Sequence, residues 1–334
     1  MSTETESAKV KELWGDSQAA LWRTSKCLHW VEHPKVRERI NFLITGNPAQ
    51  DRFQYFLEKY FRQSSPRFTP LKRIITLGCG HGEFERGLAK YQFAKTHEAV
   101  DLAPGAISKA RELAQEDGLK HIRYWVADLN SIELPRSSYD VAFGISSIHH
   151  VSHLEHLFYQ VAQSLKPGGY LFLDEFIGPN KFQWTDQQLH LINEHAAALP
   201  FELKRSLLDG KPKGNIWRHS PQQMDEVDPS EAVRSADILR VLPYFFDIVE
   251  FKGYGGSLLH LLLEGIAGNF SPDVPGAMEY LESLFCLEDA LIASGEMQHD
   301  FGVIIARRKA TRAERIFGPK IGPFVSRTKA MLWH

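Results

Sequence analysis

Three glycines in the stretch Ile74-Ile75-Thr76-Leu77-Gly78-Cys79-Gly80-His81-Gly82 stand where a β-rich run gives way to helical spacing. With no side chains at Gly78, Gly80 and Gly82, backbone can close on a ligand, and the start of the helix beyond favours a negative group such as a carboxylate. Asp101 ends the next β-rich run, 19 residues after Gly82; its carboxylate can accept hydrogen bonds from both hydroxyls of a ribose. Asp128 ends the run after that and is followed by Leu129. An acid there can take an adenine amino group while the apolar neighbour packs the ring. A glycine loop alone marks any tight turn, whereas three matched groups at successive strand ends describe a site for an adenosine-bearing ligand. The GxGxxG loop of dinucleotide-binding enzymes needs a glycine three residues after Gly80, where this chain has Glu83.

These residues need a parallel sheet to position them, and the pattern supplies one. Between residues 73 and 176, β-rich runs alternate with helical stretches of roughly 10 to 15 residues, the signature of βαβ units. Runs 73–77, 97–101, 122–126, 139–145 and 170–176 read as five strands. Leu154, Leu157, Phe158, Val161 and Leu165 mark one helix face, which the turn Lys166-Pro167-Gly168-Gly169 is expected to stop. About 70 residues then precede a sixth strand at 246–251, and their helix signals read as an inserted cap. Its first helix runs through Leu189, Ile192, Ala196 and Leu199, and its last is expected to begin at Asp228-Pro229-Ser230-Glu231, which reads as a capping box. The loop 208–228 between them suits either a functional lid or disorder. A helical pair over 258–293 separates the sixth strand from a seventh at 301–306.

Taken in order, Leu77-Gly78-Cys79-Gly80-His81-Gly82, Val100-Asp101-Leu102, Asp128-Leu129 and Lys166-Pro167-Gly168-Gly169 resemble the motifs of class I S-adenosylmethionine-dependent methyltransferases. The resemblance covers about residues 70–180 and the last two strands. It implies an α/β fold: a Rossmann-like seven-stranded sheet with one antiparallel strand, helices on both faces and a mostly helical cap. It also implies S-adenosyl-L-methionine as cofactor, S-adenosyl-L-homocysteine as product, and direct methyl transfer. Cofactor contacts are expected at Gly78, Cys79, Gly80, Gly82, Asp101, Leu102, Asp128, Leu129, Gly144 and Ile145. The family often has an acid two positions before the first glycine, where this chain has Thr76, so the cofactor's ammonium needs another partner, with Glu83 or backbone near Gly144 as candidates. Trp30-Val31-Glu32-His33-Pro34, Asp174-Glu175-Phe176-Ile177-Gly178-Pro179 and 228–235 resemble uncharacterised bacterial methyltransferases with the same long cap. The expected division is an N-terminal helical segment (1–70), a cofactor-binding core (71–177), a cap on the substrate side (178–244), the final strands with their helical pair (245–306), and a basic tail (307–334).

The methyl acceptor is read from the segment after the fourth strand, Gly144-Ile145-Ser146-Ser147-Ile148-His149-His150-Val151. No Asn/Asp-Pro-Pro-Tyr segment is present for amines of nucleobases or glutamine, no Pro-Cys nucleophile for a pyrimidine ring, and no CxxxCxxC triplet for radical chemistry. A hydroxyl is the expected acceptor, on a small molecule or glycan. A base that removes its proton helps such a transfer, and His149 has a suitable intrinsic pKa, with His150, Glu175 and Asp174 as further candidates. A histidine pair here also serves as a structural cap, and N-methylation of a small metabolite or a non-catalytic cofactor-binding scaffold are the alternatives. No metal is expected, because Asp174, Glu175 and His149 would have to converge to hold one. Phe182, Gln183, Trp184, Trp217 and Arg218 in the cap mix aromatic faces with hydrogen-bonding groups, as a substrate wall does.

A formal charge of -2 gives no global attraction to nucleic acid, and no apolar run is long enough to cross a bilayer. Cys27, Cys79 and Cys286 are odd in number and without CxxC spacing, which points to free thiols and a cytoplasmic setting. No secretory signal is read at the start. The tail carries eight basic residues against Glu314 and reads as solvated chain.

Overall fold

The computed structural model describes residues 9–11, 13–14, 27–62 and 69–310. Most of the basic tail, residues 311–334, lies outside the described residues, as do the first eight. One sheet organises the chain. Its strands are β1 (Ile74–Leu77), β2 (His97–Asp101), β3 (Ile122–Val126), β4 (Tyr139–Ile145), β5 (Leu165–Phe176), β6 (Phe246–Gly253) and β7 (Phe301–Arg308). They lie in the order β3-β2-β1-β4-β5-β7-β6. β1 to β5 are parallel and β7 is antiparallel to both neighbours.

Strand side chains alternate between faces, and in the centre both faces are buried. Ile74, Val141, Phe143 and Phe172 enter one core, while Ile75, Leu77, Ala142, Leu171 and Leu173 enter the other. Phe143 and Phe172 have no exposed surface, and each such burial stabilises by ~2–3 kcal/mol. The helices before the core domain are α1 (Pro34–Thr45) and α2 (Arg52–Leu57). Within it come α3 (Glu83–Ala89), α4 (Pro104–Glu116) and α5 (Leu154–Ser164). Beyond β5 follow α6 (Asp186–Ala198), α7 (Pro221–Val227), α8 (Ile238–Val241), α9 (Leu259–Leu263) and α10 (Ala277–Ala293). α1, α2, α6, α9 and α10 cover the first face through Ile40, Phe56, Ile192, Leu259 and Leu284. α5 and α8 cover the second through Leu154, Leu157, Phe158, Val161 and Ile238. No helix among the described residues is long and apolar enough to cross a membrane.

Two local readings are corrected. Lys166-Pro167-Gly168-Gly169 does not stop α5 ahead of a separate strand; it lies inside β5, where the register jumps from Tyr139↔Leu165 to Val141↔Tyr170. Gly168 takes φ +79 there, so the extra residues are absorbed as an irregularity in a strand that begins five residues early. Asp228-Pro229-Ser230-Glu231 does not open a helix either. The last cap helix before it starts at Ser220, which forms a capping box with Gln223, and Asp228 ends that helix. The Asp228 Oδ1 accepts from the Ser230 amide at 2.8 Å and hydroxyl at 2.7 Å, making a turn instead. The stretch 208–228 contains α7, and ahead of it Ile216 is bonded at both backbone groups to the Asn193 side chain.

Candidate active site

The glycine loop leaves β1 with Leu77 flanked by Val100 of β2 and Gly144 of β4. Gly78, Gly80 and Gly82 all take positive φ, +72, +50 and +73. At Gly78 a Cβ would stand 2.4 Å from that of Ser147, whose hydroxyl donates to the Leu77 carbonyl at 2.6 Å; the loop must be bare there to meet the end of β4. At Gly80 a Cβ would meet nothing within 4 Å, so that face is open to a ligand. Asp101 pins the loop from β2: Gly80 donates its amide to Oδ2 at 2.8 Å and Ala103 donates to Oδ1 at 2.9 Å. Each oxygen keeps a lone pair for a ligand hydroxyl. The Ala127 amide bonds the Asp101 carbonyl at 2.9 Å, which sets Asp128 beside Asp101. Asp128 accepts the Asn130 amide through Oδ1 at 2.8 Å, and its Oδ2 has no partner among the described residues. This cradle fits an adenosine.

Cys79 and Leu129 are buried, while Leu102 and Ile145 are half-buried at their strand ends. Gly144 is closely packed from within the protein. A Cβ there would strike Ile148 at 2.6 Å and Leu173 at 2.8 Å, so its bareness admits protein side chains. Thr76 is buried and bonds His97 at 2.8 Å in the sheet interior. Burial holds that imidazole down at about 3. The acid of this region is Glu85, wholly buried and pushed up to about 7 by burial.

At the end of β4 a 3-10 turn, Ile148–His150, carries the histidine pair. Glu175, fully buried on β5, organises it. One carboxylate oxygen accepts the amides of Ser147 and Ile148, both at 2.8 Å, and the other accepts His149 Nδ1 at 2.8 Å. With Nδ1 engaged, His149 Nε2 is the basic nitrogen, and it stands 3.6 Å from Glu231. Burial alone would lower the His149 pKa, yet the Glu175 hydrogen bond and charge, with Glu231 and Asp228, leave it raised. His150 is shifted the other way, first by burial and then by His149. Its Nδ1 lies 3.0 Å from the Ser230 hydroxyl, and Trp14 packs edge-on at 5.2 Å between ring centres. Trp14 also donates to Asp228 at 2.9 Å, so the N-terminal segment reaches this corner.

Of the cap residues, Phe182 and Trp184 stack with centroids 4.9 Å apart, and Phe182 meets Phe176, which in turn meets His149. Lys181 and Phe182 both hold positive φ, +52 and +53, an unusual backbone for bulky residues that puts the Phe182 ring against Phe176. Arg218 donates to the Trp184 carbonyl at 2.8 Å and pairs with Asp186, and Gln183 bonds the His219 carbonyl. Trp217 is 67% exposed and does not join them.

Sequence reasoning missed Asp300, which fixes this wall from the start of β7. Its Oδ2 accepts from Trp184 Nε1 at 3.0 Å and Gln188 at 3.2 Å. Burial nevertheless pushes its pKa up to about 7. From about pH 4 upward the unfolded chain has released this proton while the folded chain keeps it. The stabilisation is therefore complete below about pH 4 and is lost as pH rises through 7. We expect Asp300→Asn to gain stability relative to wild type across that window in thermal melts; a pH-independent difference between the two would contradict this.

Glu231 was also missed, because it lies 82 residues from His149. It brings a third donor to the histidine pair, with ligating atoms of His149, His150 and Glu231 all within 4.8 Å of one another. The convergence considered from sequence does not form, since Asp174 turns away to Arg52 and Tyr254. His29, His260 and Glu264 make a second such group.

The strand order with β7 antiparallel, and the match of residues 75–173 to the family model described as a methyltransferase domain, define a class I, Rossmann-like S-adenosylmethionine-dependent methyltransferase domain. S-adenosylmethionine is its cofactor. The chain is 27% identical over 201 residues to the phthiotriol/phenolphthiotriol dimycocerosates methyltransferase of Mycobacterium leprae, covering 58% of this chain and 65% of that one. It is 24% identical over 159 residues to the fatty-acid O-methyltransferase of Mycolicibacterium smegmatis, covering 46% and 56%. The chain thus spans less than two thirds of these relatives. Among solved structures it is similar to the geranyl diphosphate C-methyltransferase of Streptomyces coelicolor, at a TM-score of 0.48 and 14% identity over 92% of this chain and 100% of that one.

Proposed function

We propose that this protein transfers the methyl group of S-adenosylmethionine to a hydroxyl oxygen of a small-molecule acceptor, with His149 taking the hydroxyl proton. When bound, the cofactor supplies an electrophilic methyl group on sulfonium sulfur. Gly78, Gly80, Gly82, Asp101 and Asp128 hold its adenosine end, and residues 178–244 supply the acceptor side. The observation that carries the base assignment is the His149–Glu175 contact of 2.8 Å. It fixes Nε2 as acceptor and stabilises the imidazolium that forms when the proton arrives. Phe176, Phe182 and Trp184 support an acceptor with an apolar body, and the relative named as a fatty-acid O-methyltransferase supports oxygen as the receiving atom. The three free cysteines support a reducing compartment.

The test is incubation with isotopically methyl-labelled S-adenosylmethionine and fractionated hydroxylated lipids, polyketides and glycans, followed by location of the label. New O-methyl ethers support the reading. Products methylated only on nitrogen would sink it, and cofactor binding with no product from any fraction would favour the non-catalytic scaffold.

A further inference from the structure

Arg52 opens α2 directly after its cap, Asp51, and nothing in its sequence surroundings marks it. Its Nε donates to Asp174 Oδ2, and the other oxygen of that carboxylate accepts the Tyr254 hydroxyl at 2.7 Å. Asp174 is nearly inaccessible, while the Arg52 side chain keeps 21% of its surface. The guanidinium is thus held by one nitrogen, and its two Nη groups donate no hydrogen bond among the described residues. Arginine stays charged at any working pH and its fork matches a carboxylate; unmet donors of a deeply set cation are costly.

Its place in the fold says which anion would meet them. Phe53, the next residue, packs on Phe84 of α3 at 4.8 Å and on Phe172 of β5 at 5.2 Å. The Asp174 carbonyl accepts the Ser146 amide at 2.8 Å, and Ser147 is the residue that closes on Gly78. Arg52 therefore stands between the first turn of α3 and the C-terminal ends of β4 and β5. The chain reverses direction across the sheet between β1 and β4, and ligands of such folds lie over that crevice. If Asp101 on β2 takes the ribose and Asp128 on β3 the adenine, the amino-acid end of the cofactor would lie on the β1 and β4 side. That end carries one carboxylate. α3 has only seven residues, too short a helix to hold an anion by itself.

We infer that the free face of the Arg52 guanidinium docks the carboxylate of the cofactor's methionine end, with Asp174 and Tyr254 holding the arginine in place. This rests on the cofactor assignment and on the adenosine placement proposed above. Calorimetric titration of the full chain with S-adenosylhomocysteine and with 5′-methylthioadenosine, which has the same adenosine thioether but no amino-acid end, separates the two. Arg52→Met should weaken S-adenosylhomocysteine ~10- to 100-fold and leave 5′-methylthioadenosine within about twofold. Arg52→Lys keeps a cation beside Asp174 but loses the fork, and should show a smaller loss with the same selectivity. Retained 5′-methylthioadenosine binding is itself proof that each variant is folded. Unchanged S-adenosylhomocysteine affinity in both variants, or equal loss of the two ligands in Arg52→Lys, would overturn the assignment. Wild-type protein that bound neither ligand would overturn the cofactor reading and the Arg52 assignment together, whereas the variant results bear on Arg52 alone.

Discussion

Asp101→Ala should weaken S-adenosylhomocysteine binding by about a hundredfold or more, and abolish the thermal stabilisation that ligand gives wild-type protein. Two effects add in one direction. The variant would lose the two ribose hydrogen bonds proposed for this charged acceptor, each worth ~1.5–3 kcal/mol. It also loses the tie from Asp101 to the Gly80 amide at 2.8 Å, which holds the loop in its open, ligand-facing shape. Asp101→Asn keeps an acceptor oxygen and should fall between wild type and alanine. Calorimetry decides this directly. Affinity within a few-fold of wild type in Asp101→Ala would show that the ribose binds elsewhere.

His149→Ala should lower turnover by ~10²–10⁴ while leaving S-adenosylhomocysteine affinity unchanged, because His149 faces Glu175 and Glu231 and not the adenosine cradle. The pH profile carries the sign. The base must start unprotonated, so activity should rise with pH through an inflection above the ordinary histidine value of about 6.5, in keeping with the raised His149 pKa. Glu175→Gln removes the leading raising influence and should move the inflection down. An acceptor that arrives already ionised, such as a carboxylate, needs no base. Full turnover and an unaltered pH profile in His149→Ala would therefore reduce this residue to a structural role and redirect the search to acidic acceptors.

The sheet was legible because each core strand is short, apolar and bounded by turn residues, and because the motif glycines and acids fall at strand ends. The glycine loop and Asp101 meet as their spacing suggests, through the Gly80 amide. Where reading failed, a local signal served another structure or a contact had no local trace. Asp228-Pro229-Ser230-Glu231 reads as a helix start, yet Asp228 closes a turn on the Ser230 amide and hydroxyl, and the helix begins instead at Ser220, inside what reads as a loop. Lys166-Pro167-Gly168-Gly169 has turn composition, yet strand pairing on both sides carries the backbone through it. Arg52, Glu231 and Asp300 come from three distant parts of the chain. Their importance lies in what they face after folding, which no spacing rule encodes. Thr76, the departure from the family pattern, is explained by His97, its buried partner across the β1–β2 pair.

The central claim, that the cradle at Gly78, Gly80, Gly82 and Asp101 takes S-adenosylmethionine, is tested most directly by titrating wild-type protein with S-adenosylhomocysteine and NAD in parallel calorimetry. Saturable one-site binding of S-adenosylhomocysteine with no heat from NAD is the predicted result. Equal binding of both, or binding of NAD alone, would contradict it.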